Sequence, residues 1–350
     1  MQRVVKTVNN IEFSQIDTVG KVPDLTNGGR FTEIPLIQRI DPIFKGRARF
    51  VVGAKLQPEV KVDVSELTKV GGFCPFCPGA YEKYTFPFPS EMVAEGRIRV
   101  GNALVVPNIL AYSTYSSVGI YDTSRHFVPI DEFDHSVVGN AFSAMVRHAR
   151  AIRDYDHKAV YSSINANYLP SSGSSLIHPH LQSSHDYMPL SHQGHLIQEM
   201  ALHKERFGRS LMEDLVEAEI HLGERYVGSI GNVAFFAPFA PSGFREVWGV
   251  ILRQGDIPQI DPIDLSDLAL GISKIISAYA NWNLSSFNFA LTGGGPDARE
   301  ISANPLFRIV ARSNPESYYR SDVTYFEKLY SELMVDVTPE ETASALRAFF

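Results

Sequence analysis

The residues best suited to chemistry lie in one stretch, Ser171-Ser-Gly-Ser-Ser-Leu-Ile-His-Pro-His-Leu-Gln182. A small, hydroxyl-rich loop runs into His178 and His180, which on an extended strand point to the same face because side chains alternate with period two. Gly173 permits close backbone approach, and Ser174 and Ser175 offer hydrogen bonds to phosphate oxygens. A neutral imidazole is a good nucleophile toward phosphorus near neutral pH. Together these residues point to phosphoryl or nucleotidyl transfer. An isolated His-x-His would be read as a metal pair or a surface coincidence, but the preceding loop and Gln182 reverse that preference.

The second constellation is Cys74-Pro-Phe-Cys77, which holds both cysteines of the chain. A disulfide framework is therefore excluded, leaving a redox dithiol, half of a zinc site or two structural thiols. Gly71-Gly72-Phe73 before the pair and Pro78-Gly79 after it describe a tight knuckle, not the strand-to-helix junction of a thioredoxin-like motif. That context favours zinc. Two thiolates leave a tetrahedral ion two ligands short, so histidine or carboxylate must come from elsewhere in the fold.

The elements that must carry these motifs read as α+β, with antiparallel-rich sheets and packed helices. Residues 1–36 show no clear period and are expected to form an irregular arm. Strand signals follow at 47–52, 103–107 and 118–121. Asp134 is placed to cap a helix running to Tyr155, with Val138, Phe142, Met145, Val146 and Ile152 on its apolar side and His148 at its surface or in the core. Residues 160–165 form a strand before the His178 stretch, and 191–221 are polar and helix-rich. The same order then returns: strands at 233–236 and 246–252, a helix over 264–281, and strands at 287–291 and 306–311. This implies an internal duplication. The expected divisions are an arm at 1–36, a first half at 37–190, a helical connection at 191–228 and a second half at 229–350. In the copy, Leu306-Phe-Arg-Ile-Val310 stands where His178–Gln182 stands in the first half, and no histidine follows His221.

Composition sets outer bounds. A chain of 350 residues with 44% apolar residues can bury one large or two small cores. No apolar run is long enough to cross a bilayer, and Met1-Gln-Arg-Val-Val-Lys6 lacks a signal-peptide core, so a soluble, cytoplasmic protein without a membrane partner is expected. The net charge of −7, without a basic block, argues against a duplex nucleic-acid surface.

The Gly-x-Ser loop followed by His-Pro-His-x-Gln, carried here by Gly173, Ser175, His178, Pro179, His180 and Gln182, resembles the active-site strand of galactose-1-phosphate uridylyltransferase and its relatives in the histidine triad superfamily. The resemblance covers roughly residues 37–349. It implies two tandem histidine-triad-like halves, with His180 attacking the α-phosphorus of a nucleotide and holding it covalently. It also implies a structural Zn²⁺ on Cys74, Cys77, His126 and His178, with His135 competing for the third place. Nucleotide contacts would come from Asn108, Asn167, Gly173, Ser174, Ser175 and Gln182. The implied partners are a nucleotide sugar, a phosphorylated acceptor and a second copy in a homodimer.

Several places depart from the family pattern. Gly53-Ala-Lys-Leu-Gln-Pro58 stands where relatives carry a basic phosphate-binding segment, and Phe326-Glu327 is followed by Lys328–Met334 in place of glycine-rich residues. Among His185, His192, His195 and His203, the nearest carboxylate for a second metal is Glu199, several residues out of register. Two other readings follow. His180-Leu-Gln182 also resembles diadenosine tetraphosphate phosphorylases, which transfer adenylyl groups. A descendant without catalysis would bind nucleotides or serve as a zinc-stabilised partner.

Overall fold

The computed structural model describes residues 1–51, 56, 59–315 and 321–350. The chain opens with strands β1 (Gln2–Val8), β2 (Ile11–Asp24), β3 (Arg30–Ile40) and β4 (Arg47–Val51), then the short helix α1 (Tyr81–Tyr84). Strands β5 (Ile98–Val100), β6 (Ala103–Pro107) and β7 (Tyr115–Ile120) lead into helix α2 (His135–Tyr155), followed by β8 (Tyr161–Tyr168) and β9 (His180–Asp186). Helices α3 (Ser191–Phe207) and α4 (Leu211–Leu222) connect to β10 (Tyr226–Ile230), β11 (Val233–Phe236) and β12 (Phe244–Ile251). Helix α5 (Pro262–Asn281), strands β13 (Ser286–Thr292) and β14 (Leu306–Arg312), helix α6 (Tyr325–Tyr330), strand β15 (Glu332–Val335) and helix α7 (Pro339–Leu346) complete the chain.

Ten strands form one antiparallel sheet in the order β10-β11-β12-β14-β13-β8-β9-β7-β6-β5. The order is mirrored about the β13/β8 pair: adding five to each of β5-β6-β7-β9-β8 gives β10-β11-β12-β14-β13. The helix after β7 and the helix after β12 lie against each other on one face. Phe142, Met145, Ile272 and Ile276 from these helices bury Ile164, Leu181, Phe287 and Ile309 of the central strands. Asp134 caps α2 by accepting from the Val137 amide, and the expected apolar positions are buried. Helix α5 begins earlier than its apolar period suggested, with Asp261 as cap and Pro262 in the first turn.

Among the described residues, the cores on the opposite face lie over its ends. Over β11, β12 and β14 a second core joins Phe236, Trp248 and Leu306 to Met200 and Leu215 of α3 and α4 and to Phe13 of β2. Over β6 and β7, Leu104, Val106, Val118 and Ile120 pack against Cys74 and Phe76. Between these covers, burial alternates: Asn165 and Asn167 of β8, Asn288, Ala290 and Thr292 of β13, and Arg308 and Val310 of β14 are only half-buried, while most residues between them are buried. A polar trough therefore runs across the middle of the sheet.

Two expectations are corrected. Residues 1–36 are not irregular: they form β1, β2 and most of β3 in a second sheet, ordered β1-β2-β3-β4-β15. β1 is exposed at all but its last position, and the outer parts of β2 and β3 are exposed on both faces. No hydrophobic alternation is then required, although the Val-, Ile- and Thr-rich composition suits extended chain. His178 also does not sit on the strand, which begins at His180. Pro179, lacking an N–H, cannot donate to the ladder and marks the boundary. The segment Gly53–Pro58 lies outside the described residues except for Leu56.

Candidate active site

Cross-strand pairing assembles the floor of the trough. Asn165 faces Gln182 across β8 and β9, Asn165 and Asn167 face Ala290 and Asn288 across β8 and β13, and those two face Arg308 and Val310 across β13 and β14. Paired residues share a face, so Gln182, Asn165, Ala290 and Arg308 form one row. His180, two positions before Gln182, lies on the same face.

The surroundings of His180 fix its chemistry. The side chain is 8% exposed, and its Nδ1 lies 2.9 Å from the His178 carbonyl oxygen. A carbonyl only accepts, so Nδ1 carries the proton and Nε2 the lone pair. Burial holds the imidazole below its ordinary pKa, so the ring is neutral at pH 7. His178 has the complementary tautomer: its Nε2 lies 3.2 Å from the Asp122 carbonyl, leaving the Nδ1 lone pair directed at Cys74 Sγ, 3.7 Å away. Burial lowers the His178 pKa to about 4. Phe76, between the two cysteines, packs edge-on against both rings, with centroids 5.8 Å from His178 and 5.6 Å from His180.

The ligand atoms of Cys74, Cys77, His126 and His178 all lie within 4.8 Å of one another, and Cys77 Sγ is 3.1 Å from His126 Nδ1. A tetrahedral zinc with bonds of about 2.3 Å to sulfur and 2.0 Å to nitrogen sets ligand–ligand edges of roughly 3.3–3.8 Å. Two thiols and two imidazoles so placed fit such an ion, and His178 has the outer hydrogen bond that orients a metal-binding histidine. Burial and the neighbouring Cys74 push the Cys77 thiol up to about 11, so a bound cation is what would draw off its proton. His135 is not part of this group; its Nε2 meets Ser266 on α5. Among the described residues no other such group of His, Cys, Asp or Glu comes together. His185 bonds Ser162 and Ser183, His195 the Ile43 carbonyl and His203 Asp214, while Glu199 lines a separate surface cleft with Arg3 and Lys45.

The loop before His178 is wound around one carbonyl. Leu169 O accepts from Ser172 N at 3.0 Å, Ser172 Oγ at 2.8 Å and Ser174 N at 3.3 Å, and Ser174 Oγ turns back to Leu176 O. Gly173 has φ +94° with nothing near where a Cβ would project, a conformation that favours glycine. Ser175 is exposed; among the described residues neither its hydroxyl nor the Gln182 amide has a side-chain hydrogen bond. Asn108, at the end of β6, accepts from Leu110 N and donates to Tyr112 Oη, forming a turn. Asn167 Oδ1 accepts from Asn288.

Sequence reading missed Phe76, Asn165 and Asn288, and it set Arg308 at the His180 position of the second copy without giving it a role. One signal was available: Ser162-Ser-Ile-Asn165 is echoed by Ser285-Ser-Phe-Asn288. Asn165 faces Gln182 and Asn288 faces Val310, and two residues back along β9 and β14 stand His180 and Arg308. Arg308 thus holds the position in β14 that His180 holds in β9. Its Nε and Nη2 lie 2.9 and 2.8 Å from Glu246 Oε1, and its guanidinium sits over the Phe44 and Trp248 rings.

No family model matches the chain. An uncharacterised protein of Archaeoglobus fulgidus is 31% identical over 329 residues, spanning 93% of this chain and 96% of its own. An ADP-glucose phosphorylase from Arabidopsis thaliana, solved with ADP-glucose bound, superposes with a TM-score of 0.69 at 16% identity, covering 89% of this chain and 97% of the plant protein. A uridylyltransferase structure gives a TM-score of 0.64 at 21% identity, over 89% of this chain and 98% of its own. The chain belongs to one family with the A. fulgidus protein, and its fold is the one shared by the ADP-glucose phosphorylase and uridylyltransferase structures.

Proposed function

We propose that the protein is a nucleotidyltransferase that takes a nucleoside monophosphate from a nucleotide sugar and passes it to a phosphorylated acceptor through a covalent bond to His180. The observation that carries this reading is the tautomer of His180: with Nδ1–H committed to the His178 carbonyl, the lone pair of Nε2 is the reactive one. Nε2 attacks the α-phosphorus, the bond to the bridging oxygen breaks, and the sugar 1-phosphate leaves with that oxygen and its electron pair. The positive charge on the ring is held by the Nδ1–H bond to the carbonyl. In the return step a phosphate oxygen of the acceptor attacks the same phosphorus and the phosphorus–nitrogen bond breaks, restoring neutral imidazole.

Ser175 and Gln182 would donate to the phosphoryl oxygens as charge builds on them, each contributing about 3 kcal/mol when well aimed. Gly173 and Ser174 shape the phosphate loop, Asn167 lines the trough beside it, and Asn108 would meet the ribose. Zinc held by Cys74, Cys77, His126 and His178 would anchor the backbone whose carbonyl orients His180, a structural contribution. We read the mirrored sheet as two tandem histidine-triad-like halves, 37–190 and 229–350, joined through 191–228. The chain departs from the hexose-phosphate pocket of uridylyltransferases after Phe326-Glu327, where Lys328–Met334 replaces the glycine-rich residues, and Glu327 itself closes a capping box on Thr324. A uridylyl donor ranks first. The bound ADP-glucose of the plant phosphorylase makes an adenylyl donor, with phosphate as acceptor, the second reading.

The test is exchange without acceptor. Labelled glucose 1-phosphate should enter UDP-glucose or ADP-glucose at a rate that names the base, and His180→Ala should abolish it. Absence of exchange with both donors, in folded protein containing zinc, would favour the non-catalytic nucleotide binder.

A further inference from the structure

The loop that leads into His178 is held from the far side of the sheet's midline. Ser171 Oγ donates to Ser286 Oγ at 2.9 Å, and Ser286 Oγ to the Ser313 carbonyl at 2.8 Å. Asn288 Nδ2 lies 2.9 Å from the Ser172 carbonyl and 2.5 Å from Asn167 Oδ1. The Asn288 Oδ1 accepts from Arg312 Nη1 at 2.5 Å, and Arg312 Nε and Nη2 reach Asp322 at 2.7 and 2.6 Å. Apart from Ser171, Ser172 and Asn167 of β8, every residue in these contacts belongs to β13, β14 or the segment after it. The counterpart of Asn288 on the other side, Asn165, makes no such link; its Nδ2 meets Ser163 Oγ at 3.0 Å.

The polarity of this chain admits one arrangement. A guanidinium has only donors, so the Asn288 oxygen must face Arg312 and its amino group must face the loop. That amino group donates to Asn167 Oδ1, which turns the Asn167 amino group the other way. Asp322, 7% exposed in its side chain, fixes Arg312 with two bonds of complementary geometry. The orientation of a trough amide and the seat of the phosphate loop are thus set by a carboxylate two strands away.

We propose that Asp322, Arg312 and Asn288 form a positioning relay for the transfer reaction, acting through Asn167 and Ser172 on groups that would meet the donor's phosphates. It rests on the nucleotidyl-transfer reading given above. The relay gives the half of the sheet without an imidazole a part in catalysis: it holds the loop and the amide of the half that has one. Asn288 itself touches no substrate in this account.

The experiment measures the single-turnover rate of nucleotidylation for Asn288→Asp, Asn288→Ala, Asn167→Ala and the double variant Asn167→Ala/Asn288→Ala. Zinc content and the amide exchange of residues 172–175 are followed in parallel. Asn288→Asp keeps the acceptor for Arg312 and loses both donations, so it separates orientation from packing. Asn288→Asp and Asn288→Ala should slow nucleotidylation by about 10- to 100-fold with zinc unchanged and speed exchange at Ser172 and Ser174. The double variant should be slower than either single variant but slowed by less than the product of their effects, because the two share the Asn167 contact while the Ser172 contact is lost only with Asn288. Wild-type rates in Asn288→Asp, or a double variant slowed by the product of the two single effects, would overturn the relay. If the wild type forms no adduct, the transfer reading fails on its own; unchanged loop exchange in Asn288→Asp would then overturn the relay separately.

Discussion

His180 and Arg308 stand at matching positions of β9 and β14 and are put to opposite uses. Behind His180 lie a carbonyl that fixes its tautomer and, through His178, four metal-type ligands; before it lies a loop whose exposed Ser175 hydroxyl has no side-chain partner among the described residues. Arg308 has none of these. Its charge is met by Glu246, which also accepts from Trp248 Nε1 at 2.7 Å, and its face is covered by Phe44 and Trp248. Strand register thus decides where a side chain stands, while its neighbours decide whether it reacts or ties elements together. Arg308 ties β14 to β12 and to the turn of residues 41–44.

The comparison can be broken first at the metal group. Cys77→Ser, His178→Asn or prolonged chelation is expected to cost at least about 100-fold in nucleotidylation and to lower thermal stability, because the ligands are also the anchor of the His178 backbone. Metal analysis beside the rate checks this, and full activity in zinc-free protein would remove the knuckle from the account. Arg308→Ala should do the reverse. It strands the Glu246 carboxylate, 1% exposed in its side chain, at a cost of about 3 kcal/mol in urea unfolding, while nucleotidylation per folded molecule changes less than about threefold. A large rate loss in stable Arg308→Ala would make both positions reactive and undo the contrast.

Gln182 and Val310, also at matching positions, sharpen it further. Gln182→Ala is expected to slow transfer by about 100-fold, the loss of one aimed donor, and Val310→Ala by less than about threefold; equal effects would show that the trough is read by shape alone. The smallest effect is in the core. His148 is fully enclosed with neither nitrogen hydrogen-bonded, against Phe88 and His185. Burial drives its pKa well below 6.5 and that of His185 to about 3. A depressed histidine favours the fold fully above the unfolded value near 6.5, and that stability is lost as pH falls toward the folded value, by about 1.4 kcal/mol per pH unit for each ring. His148→Leu should therefore add about 1 kcal/mol at pH 7 and flatten the acid limb of a stability profile. An unchanged acid limb would mean that His148 is hydrated in solution.

The candidate site was legible because its parts are contiguous. Cys74-x-x-Cys77 and the Gly173 to Gln182 stretch each carry their own spacing, and Asp134 announces its helix through a local cap. His126 came from resemblance, not from spacing, since nothing near it in the chain signals a ligand. The first three strands stayed hidden because exposed ribbons need no apolar alternation. The Asn288 contacts were invisible for a different reason: they join β13 to a loop more than a hundred residues earlier, and only pairing across the midline brings them together.

The central claim is that Nε2 of His180 becomes bonded to phosphorus, and intact mass followed by peptide mapping tests it most directly. Protein incubated with UDP-glucose, or with ADP-glucose, should gain one nucleoside monophosphate, labile to acid, on the peptide containing His180, and His180→Ala should gain nothing. An adduct mapped to another residue, or one that persists in His180→Ala, would contradict the account.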